Sequence, residues 1–377
     1  MAIGTAEYIW LDGERPTQQL RSKGRVLEFS EGKGPALKDF PEWSYDGSST
    51  YQSPGNHSDL LLVPVHFCID PLRGDDSYLV LCEVMLADGT PHKSNTRALL
   101  RSVLSAGAEK EQPWFGFEQE YVLLSEGVIC GFPEAGYPSP QGPYYCGVGI
   151  DKAFGREVVE SHLTACLEAG LMIYGINAEV LPGQWEFQIG HRGFSNEQGD
   201  TLRVTDEMWL ARWLLLRIAE EEEFGVTFEN KPVKGDWNGS GCHTNFSTAA
   251  MRKAETGLAA IQTAVERLQK NHAAHVLVYG DKLEERLTGQ HETCSILEFR
   301  AGVANRGASV RIPQQVFAKK CGYLEDRRPG ANCDPYLVAS RLLLTVCAID
   351  DAKVCAQNPN FQACLTQKTE TLAAAPA

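Results

Sequence analysis

A strand that carries two carboxylates is predicted at Trp114-Phe115-Gly116-Phe117-Glu118-Gln119-Glu120-Tyr121-Val122. Because successive side chains of a strand point to opposite faces, Phe115, Phe117 and Tyr121 share one face, and Glu118 and Glu120 share the other. The two glutamate Cα atoms are then roughly 6.6 Å apart. Like charges on an apolar strand repel each other unless a cation, a proton or water relieves them. The segment therefore predicts a cation site or an edge strand with one wet face.

The same alternation recurs in Gly183-Gln184-Trp185-Glu186-Phe187-Gln188-Ile189. Trp185, Phe187 and Ile189 form the apolar face, and Glu186 lies on the other face with the two glutamines. Glu179 supplies a fourth carboxylate just upstream. Four glutamates favour a hard cation, and oxygen ligands suit Mg²⁺ or Mn²⁺ better than zinc. A proton-transferring pair, as in a glycosidase, would need two carboxylates rather than four.

A glycine-rich loop and an arginine-dense segment follow. The loop, residues 231–243, lacks the P-loop pattern and ends in His243, which could bind a metal or phosphate, although a lone histidine after a turn is more often structural. Guanidinium groups bind carboxylates and phosphates in a bidentate manner. The arginines are Arg286, Arg300, Arg306, Arg311, Arg327 and Arg328, and a solvated surface position is favoured for Arg300 alone. These residues indicate a metal-dependent phosphoryl-transfer enzyme or ligase, with metal-assisted hydrolysis as the alternative.

Composition restricts the class of protein. The 377 residues carry 35 Lys and Arg against 49 Asp and Glu, a net charge of −14, which argues against a nucleic acid partner. No apolar run approaches the roughly 20 residues of a membrane span, so no membrane partner is expected. The 12 cysteines form no C-x-x-C pair, and no targeting segment is visible. We therefore expect reduced thiols and a cytoplasmic location.

Three regions are predicted along the chain. Residues 1–92 read as short strands and turns, which indicates a small β-rich domain. Asn95 is a plausible N-cap for a helix through Ala106 that opens a larger domain, residues 93–356. Within it, Thr205 is predicted to cap a second long helix, and Asp334-Pro335 to begin another. Residues 357–377 lose periodicity and are expected to fray.

Seven motifs, in chain order, resemble the type II (eukaryotic-type) glutamine synthetases. They are Asp46-Gly47-Ser48-Ser49-Thr50, Phe117 to Tyr121, Asn177 to Glu186, Lys231-Pro232 through Gly241-Cys242-His243, His291-Glu292-Thr293, Ala304-Asn305-Arg306 and Glu325-Asp326-Arg327-Arg328-Pro329. The resemblance implies an α+β fold: an N-terminal β-grasp domain, then a catalytic domain whose curved antiparallel sheet is flanked by helices. It also implies a homo-oligomer, a decamer of two pentameric rings with each site built between neighbouring subunits.

The resemblance also implies a ligand set for two or three Mg²⁺ or Mn²⁺ ions per site. Glu120, Glu179 and Glu186 correspond to the first site. Glu118, His243 and Glu325 correspond to the second, which faces the nucleotide phosphates. These assignments agree with the face that strand alternation gives to Glu118, Glu120 and Glu186.

The reaction implied is ligation of ammonia to the side-chain carboxylate of glutamate, with ATP as co-substrate and γ-glutamyl phosphate as the intermediate. By resemblance, Arg306 and Arg311 stabilise the phosphoryl group and Glu292 belongs to a flap that excludes water. The neighbouring subunit's copies of Asp46 and Ser49 would bind ammonium, and Asp46 would help to take its proton. The remaining implied contacts are Asn238, Gly239, Arg286 and Arg327 for glutamate, and Trp114 for ATP.

Two positions depart from the usual pattern of the family: Leu287 stands where many relatives have His, and His191 where Pro is common. They affect the expected shape of the flap and of the nucleotide edge. Two other readings are a γ-glutamyl ligase that uses another amine or a polyamine, and a non-catalytic relative. The first should relax the ammonium pocket and the second should lose metal or phosphate ligands, whereas Asp46, Ser49 and the ligand set are all present.

Overall fold

The computed structural model describes residues 2–30, 34–133, 135, 138, 140–195, 197, 199–358 and 360–366. The strands are β1 (Ala2–Leu11), β2 (Leu20–Phe29), β3 (Trp43–Asp46), β4 (Asp59–Ile69), β5 (Ser77–Met85), β6 (Trp114–Ser125), β7 (Val128–Ile129), β8 (Ile173–Ala178), β9 (Gln184–Gly190), β10 (Phe224–Thr227), β11 (Cys242–Ser247), β12 (Ala301–Val303), β13 (Val310–Ile312) and β14 (Leu324–Asp326).

The α-helices are α1 (Thr96–Ser105), α2 (Arg156–Glu168), α3 (Thr201–Glu221), α4 (Ala249–Arg252), α5 (Gly257–Lys270), α6 (His272–Val276), α7 (Leu283–Arg286), α8 (Gln314–Lys319), α9 (Pro335–Val346), α10 (Asp351–Cys355) and α11 (Asn360–Thr366). Within the described ranges, none of them has the length and apolar character that a membrane crossing requires.

The N-terminal strands form one five-stranded sheet in the order β2-β1-β5-β4-β3. β1 pairs with β2 as an antiparallel hairpin and with β5 in parallel. The N-terminal region predicted as strands and turns thus forms a sheet, and its strands β1, β2 and β4, of 10, 10 and 11 residues, are longer than the short strands expected. One face of this sheet buries an aromatic core that includes Tyr8, Trp10 and Phe40.

The second sheet runs β12-β13-β14-β11-β6-β9-β8, with β7 and β10 also pairing with β6. Its neighbours are antiparallel except β12 and β13, which are parallel. Phe115, Phe117 and Tyr121 of β6 join the large core, to which α3 also contributes. Because β6 alternates, burying this apolar face turns Glu118 and Glu120 toward the opposite face of the sheet.

Helix α3 begins one turn earlier than predicted, so the prediction of a Thr205 cap is wrong. Asp200 is the N-cap, and its Oδ1 accepts hydrogen bonds from the backbone N–H groups of Leu202 at 2.9 Å and Arg203 at 3.4 Å. Thr205 instead donates its hydroxyl to the Thr201 carbonyl at 2.9 Å. The N-caps predicted at Asn95 and Asp334 are confirmed.

The predicted frayed tail differs from the structure over the part that is described. α11 lies within residues 357–377 and buries Phe361, Cys364 and Leu365. These side chains belong to the large core, so apolar burial orders the segment. Residues 367–377 of the predicted tail lie outside the described residues.

Candidate active site

Strand register brings the acidic side chains together. Across β6 and β11, Glu118 is the partner of His243. Across β6 and β9, Glu120 is the partner of Glu186. Glu325 of β14 joins from the next strand, since β14 pairs with β11. Four strands that are far apart in the chain thus place their polar side chains on one face of the sheet.

One group that could hold a cation consists of Glu118, His243 and Glu325, whose candidate ligand atoms lie within 4.8 Å of one another. His243 Nδ1 is 3.5 Å from Glu118 Oε2 and 3.6 Å from Glu325 Oε1. The structure therefore brings together the three residues that the resemblance assigns to the second metal site.

A second group consists of Glu120, Glu186 and His243, again within 4.8 Å. It contains two of the three residues expected at the first metal site. The third, Glu179, lines the same cavity, but its Oε1 accepts a hydrogen bond from Asn177 Nδ2 at 3.0 Å and it lies outside this group. Glu179 comes from the segment after β8, so strand register does not fix its side chain.

The electrostatics of these carboxylates favour a cation. Burial, partly offset by Arg286, raises the pKa of Glu120 to about 7, and burial with the charge of Glu120 raises the pKa of Glu179 to about 8. Burial and three neighbouring glutamates hold the pKa of Glu186 well above its usual range. The nearby arginines thus do not fully balance the negative charge of these buried carboxylates. A hard divalent cation bound among their oxygens would balance it.

His243 is held as a neutral imidazole, the form that binds metals. Burial and the nearby Arg327 lower its pKa well below the usual value. Arg286 Nη2 lies 3.0 Å from His243 Nε2 and can only donate, so Nε2 accepts this hydrogen bond. From the sequence, His243 was only a lone histidine after a turn. In the structure, two carboxylates and one guanidinium surround its ring.

Two arginines hold Glu325 from opposite sides. Arg311 Nη1 donates to Glu325 Oε2 at 2.6 Å, and Arg327 Nη1 donates to Glu325 Oε1 at 2.5 Å. Among the described residues, the buried Nε of Arg311 has no hydrogen-bond partner. Arg306 is exposed and lines the same cavity. The cavity therefore offers guanidinium donors beside the carboxylate groups.

These residues surround a cavity of about 480 Å³. Its lining residues are Glu118, Glu120, Tyr145, Tyr174, Asn177, Glu179, Val180, Glu186, Gln188, His243, Glu292, Arg306, Arg311, Glu325 and Arg327. A smaller recess shares part of this lining and adds Asn238, Gly239, Arg286, His291 and Thr293. The four residues expected to contact glutamate, Asn238, Gly239, Arg286 and Arg327, thus lie together beside the carboxylates.

The expected flap carries an unusual backbone. His291 has a φ of 53° and Glu292 a φ of 59°, in the left-handed region that residues other than glycine rarely adopt. Glu292 is exposed and lines both the cavity and the recess. Arg327 Nη2 donates to the Glu292 carbonyl at 3.5 Å. Strain of this kind concentrates at ligand-binding segments.

Three residues predicted for the site lie away from this cavity within the chain. Asp46 and Ser49 belong to the N-terminal domain, whereas the residues that line the cavity come from residues 118–327. Trp114 stacks on His191 with ring centroids 4.1 Å apart, and the Arg252 guanidinium lies 3.9 Å from the Trp114 ring. Trp114 is not among the lining residues.

Two polar residues of the site, Asn245 and Tyr174, were missed from the sequence, and a third, Gln184, was placed on the polar face of its strand but given no role. Asn245 donates its Nδ2 to Glu118 Oε1 at 2.7 Å, and Gln184 donates its Nε2 to Glu120 Oε2 at 3.1 Å. Alternation could have found Asn245, which lies two residues after His243 on the same face of β11. Tyr174 could not be found in this way, because a register irregularity between Ile173 and Gly175 interrupts β8.

Comparison with known proteins covers most of the chain. Residues 2–87 match the family described as glutamine synthetase, beta-Grasp domain, and residues 93–281 match glutamine synthetase, catalytic domain. A glutamine synthetase of Streptomyces viridochromogenes is 53% identical over 345 residues, which cover 91% of this chain and 96% of that protein. The glutamine synthetase of Mus musculus is 50% identical over 347 residues, 90% of this chain and 89% of that protein. A chloroplastic glutamine synthetase of Chlamydomonas reinhardtii is 51% identical over 351 residues, 90% of each chain.

Proposed function

The chain belongs to the glutamine synthetase family, and we propose that the cavity on the polar face of its second sheet is where it ligates ammonia to glutamate. The activity is glutamate–ammonia ligation, with ATP and a divalent cation as the family requires. The observation that carries the choice of cavity is the pair of carboxylate–histidine groups built around His243.

The cation identity proposed is Mg²⁺ or Mn²⁺, two or three per site. The oxygen-rich ligand sets, Glu118 with His243 and Glu325, and Glu120 with Glu179 and Glu186, support hard cations. Bound there, such cations would neutralise phosphate charge and align the reacting groups. The protein contributes a rigid face of paired strands that fixes the separation of the two ligand sets.

Phosphoryl transfer from ATP to the glutamate side chain is proposed to use Arg306 and Arg311. Developing charge on a transferred phosphoryl group is stabilised by guanidinium donors held in advance. The buried, unpartnered Nε of Arg311 supports this role because it is a donor without an acceptor among the described residues. Arg311 is held by Glu325, so its head group is oriented before substrate binds.

Glutamate is proposed to bind in the recess formed by Asn238, Gly239, Arg286 and Arg327. Gln141 Oε1 accepts a hydrogen bond from the Asn238 backbone N–H at 2.5 Å, which fixes the glycine-rich loop. Glu292 is proposed to close over this recess, since an acyl phosphate open to water would hydrolyse. Its position on the lining of both cavities supports that role.

Ammonium is proposed to bind at Asp46 and Ser49 of a neighbouring subunit. The hydroxyls of Ser48 and Ser49 each donate to the Asp46 carboxylate at 2.6 Å and lower its pKa to about 2. Such a group stays charged and attracts a cation, but it is a weak base. We therefore infer that Asp46 acts mainly by charge, and that its share in removing the ammonium proton is small.

The remaining assembly features are also proposals. Asp46 and Ser49 are absent from the cavity lining, which is consistent with the proposal that a neighbouring subunit supplies them. The decamer of two pentameric rings is proposed from the resemblance to the family alone. A cytoplasmic location is proposed because all 12 cysteines are free thiols. Trp114 is proposed to flank the nucleotide from the N-terminal end of β6, where it stacks on His191.

The deciding experiment measures ADP release by purified protein with Mg²⁺, ATP and glutamate. Ammonium is supplied, or replaced by methylamine or a polyamine, and the product is identified by mass. Ammonium-dependent glutamine is expected. Turnover with a larger amine only would instead assign a γ-glutamyl ligase of different amine specificity.

A further inference from the structure

Tyr174 is a cavity residue to which none of the roles above is assigned. It lies on β8, and its side chain remains 46% exposed within the lining of the main cavity. Most lining residues are charged or carry amides, so an accessible aromatic ring is a distinct chemical feature there. The other lining ring, Tyr145, interacts electrostatically with Glu179 and Arg306, whereas Tyr174 interacts with Glu118 and Glu186.

Two glycines support the Tyr174 ring from beneath. Gly116 of β6 and Gly190 of β9 are register partners. A Cβ atom at Gly116 would lie 3.3 Å from Tyr174 Oη, and one at Gly190 would lie 3.3 Å from Tyr174 Cε1. A Cβ at Gly190 would also lie 2.7 Å from the Gly116 Cα. The absence of side chains at both positions therefore creates the shelf that the ring occupies, with its other side open to the cavity.

The phenol group links this shelf to a proposed cation ligand. The Tyr174 hydroxyl lies beside Asn245, since a Cβ atom at Gly116 would be 3.3 Å from Tyr174 Oη and 3.7 Å from Asn245 Cβ. Asn245 Nδ2 donates to Glu118 Oε1 at 2.7 Å. One amide side chain thus lies between the phenol and the carboxylate.

We propose that Tyr174 is a nucleotide-binding residue, with its ring contacting the nucleoside part of ATP and its hydroxyl positioning Glu118 through Asn245. This inference rests on the proposed function, in which Glu118 belongs to the cation site on the phosphate side of ATP. A nucleoside extending from phosphates near Glu118 meets Tyr174 as the adjacent aromatic surface. Base–aromatic contacts of this kind are worth roughly 1–3 kcal/mol when measured by alanine substitution.

The test compares Tyr174→Ala and Tyr174→Phe with the wild type. Titration calorimetry measures ADP binding in the presence of Mn²⁺, and steady-state assays give KM for ATP, glutamate and ammonium. Tyr174→Ala should weaken ADP binding about tenfold, within the range of a lost base contact, and should leave the KM for glutamate unchanged. Tyr174→Phe keeps the ring, so its ADP affinity should stay close to that of the wild type.

The hydroxyl has its own readout. Tyr174→Phe breaks the link to Asn245 and should increase the Mn²⁺ concentration needed for half-maximal activity several-fold. Tyr174→Leu retains bulk without an aromatic ring, and it replaces the alanine variant if a cavity on the glycine shelf prevents folding. Circular dichroism and the thermal midpoint report whether each variant is folded.

Equal ADP affinity of wild type and Tyr174→Ala, or of wild type and Tyr174→Leu, would overturn the ring contact. An unchanged Mn²⁺ requirement of Tyr174→Phe would overturn the link through Asn245. The proposed function fails separately: in that case the wild-type protein itself forms no glutamine from ammonium, glutamate and ATP. If the wild type makes glutamine and Tyr174→Ala binds ADP as tightly as the wild type, only the proposed role of Tyr174 is contradicted, and the proposed function stands.

Discussion

His243 lies directly opposite Glu118 across β11 and β6, with its Nδ1 3.5 Å from Glu118 Oε2. Two residues further along β6, on the same face, Glu120 is the register partner of Glu186. The two-residue period of a strand therefore sets the spacing between the two carboxylate groups. Because the apolar face of β6 is buried in the core, neither group can turn away without exposing Phe117 or Tyr121.

Neutralising Glu120 should stabilise the metal-free protein. Glu120 is buried, and burial raises its pKa to about 7, so at pH 8 Glu120→Gln removes a charge that the folded state disfavours. The amide retains an acceptor for the Gly241 N–H, now 2.7 Å from Glu120 Oε2. At pH 8 with chelator, we expect the free energy of unfolding to rise by about 1–2 kcal/mol in urea titrations. Activity should fall, because a cation ligand is lost.

Added Mn²⁺ should stabilise Glu120→Gln less than it stabilises the wild type. A ligand that binds only the folded state raises its free energy of unfolding by an amount that grows with the logarithm of its affinity, so the wild type should show the larger rise in thermal midpoint. Glu220→Gln is the matched control, since Glu220 is an exposed carboxylate at the end of α3. A metal-free Glu120→Gln protein that is less stable than the wild type would contradict the argument that the buried charge of Glu120 destabilises the fold.

The sequence alone predicted which side chains of β6 face the core, and it predicted the α+β architecture. Alternation assigned Glu118 and Glu120 to one face of β6, and burial of Phe115 and Phe117 confirms it. The predicted α+β architecture, β-grasp followed by catalytic domain, is confirmed by both family matches. Local patterns suffice here because a strand face is decided by its own residues.

Other features depend on long-range register or on competing local signals. Glu325 reaches the site only because β14 pairs with β11, and no local pattern encodes that pairing. Tyr174 escapes alternation because β8 is irregular beside it. Thr205 has the residue type of an N-cap, but the Asp200 side chain, about one turn earlier, accepts the hydrogen bonds of the first free backbone N–H groups of α3. The roles of the site residues remain predictions.

Removing the Glu292 side chain should uncouple phosphate release from glutamine formation. The contact from Arg327 is made to the Glu292 backbone carbonyl, so Glu292→Ala retains it while opening the cavity to water. The ratio of glutamine to phosphate should fall several-fold, with ADP binding unchanged. Coupled phosphate and glutamine assays measure this ratio, and Glu284→Ala, at an exposed position of α7, is the control. Coupling equal to that of the wild type would remove Glu292 from the flap.

Asp46→Ala should raise the KM for ammonium about tenfold and leave the KM for glutamate unchanged. The physical reason is loss of a carboxylate that stays charged, given its pKa of about 2. Steady-state kinetics at varied ammonium measure the effect, with Asp75→Ala, exposed in the same domain, as the control. A change confined to the KM for glutamate would contradict the ammonium role.

Mixing subunits tests whether Asp46 acts in a neighbour's site. Asp46→Ala and Glu120→Gln subunits are purified separately and then reassembled together. If each site joins two subunits, some mixed sites contain both native residues, and activity should exceed that of either variant alone. Activity that never exceeds the weighted mean of the two variants would show that Asp46 acts within its own chain, or that it is not part of the site. Light scattering checks that the mixed oligomers form.

The loss of folding stability at acid pH should depend in part on His162, a fully buried residue of α2. Its Nε2 lies 2.9 Å from the Ala211 carbonyl, and among the described residues its Nδ1 has no partner. Burial lowers the pKa of His162 to about 4, below the roughly 6.5 of an unfolded histidine. Its contribution to stability is therefore fully present above about pH 6.5.

As the pH falls from about 6.5 to about 4, the unfolded chain binds a proton that the folded chain does not, and up to about 3 kcal/mol of stability is lost. His162→Gln lacks this group, so its free energy of unfolding should start lower and then decline less steeply over that range. Urea titrations at four or five pH values measure the slope. His57→Gln, at an exposed position, should keep the wild-type slope. Parallel slopes for wild type and His162→Gln would mean that other groups take up the proton.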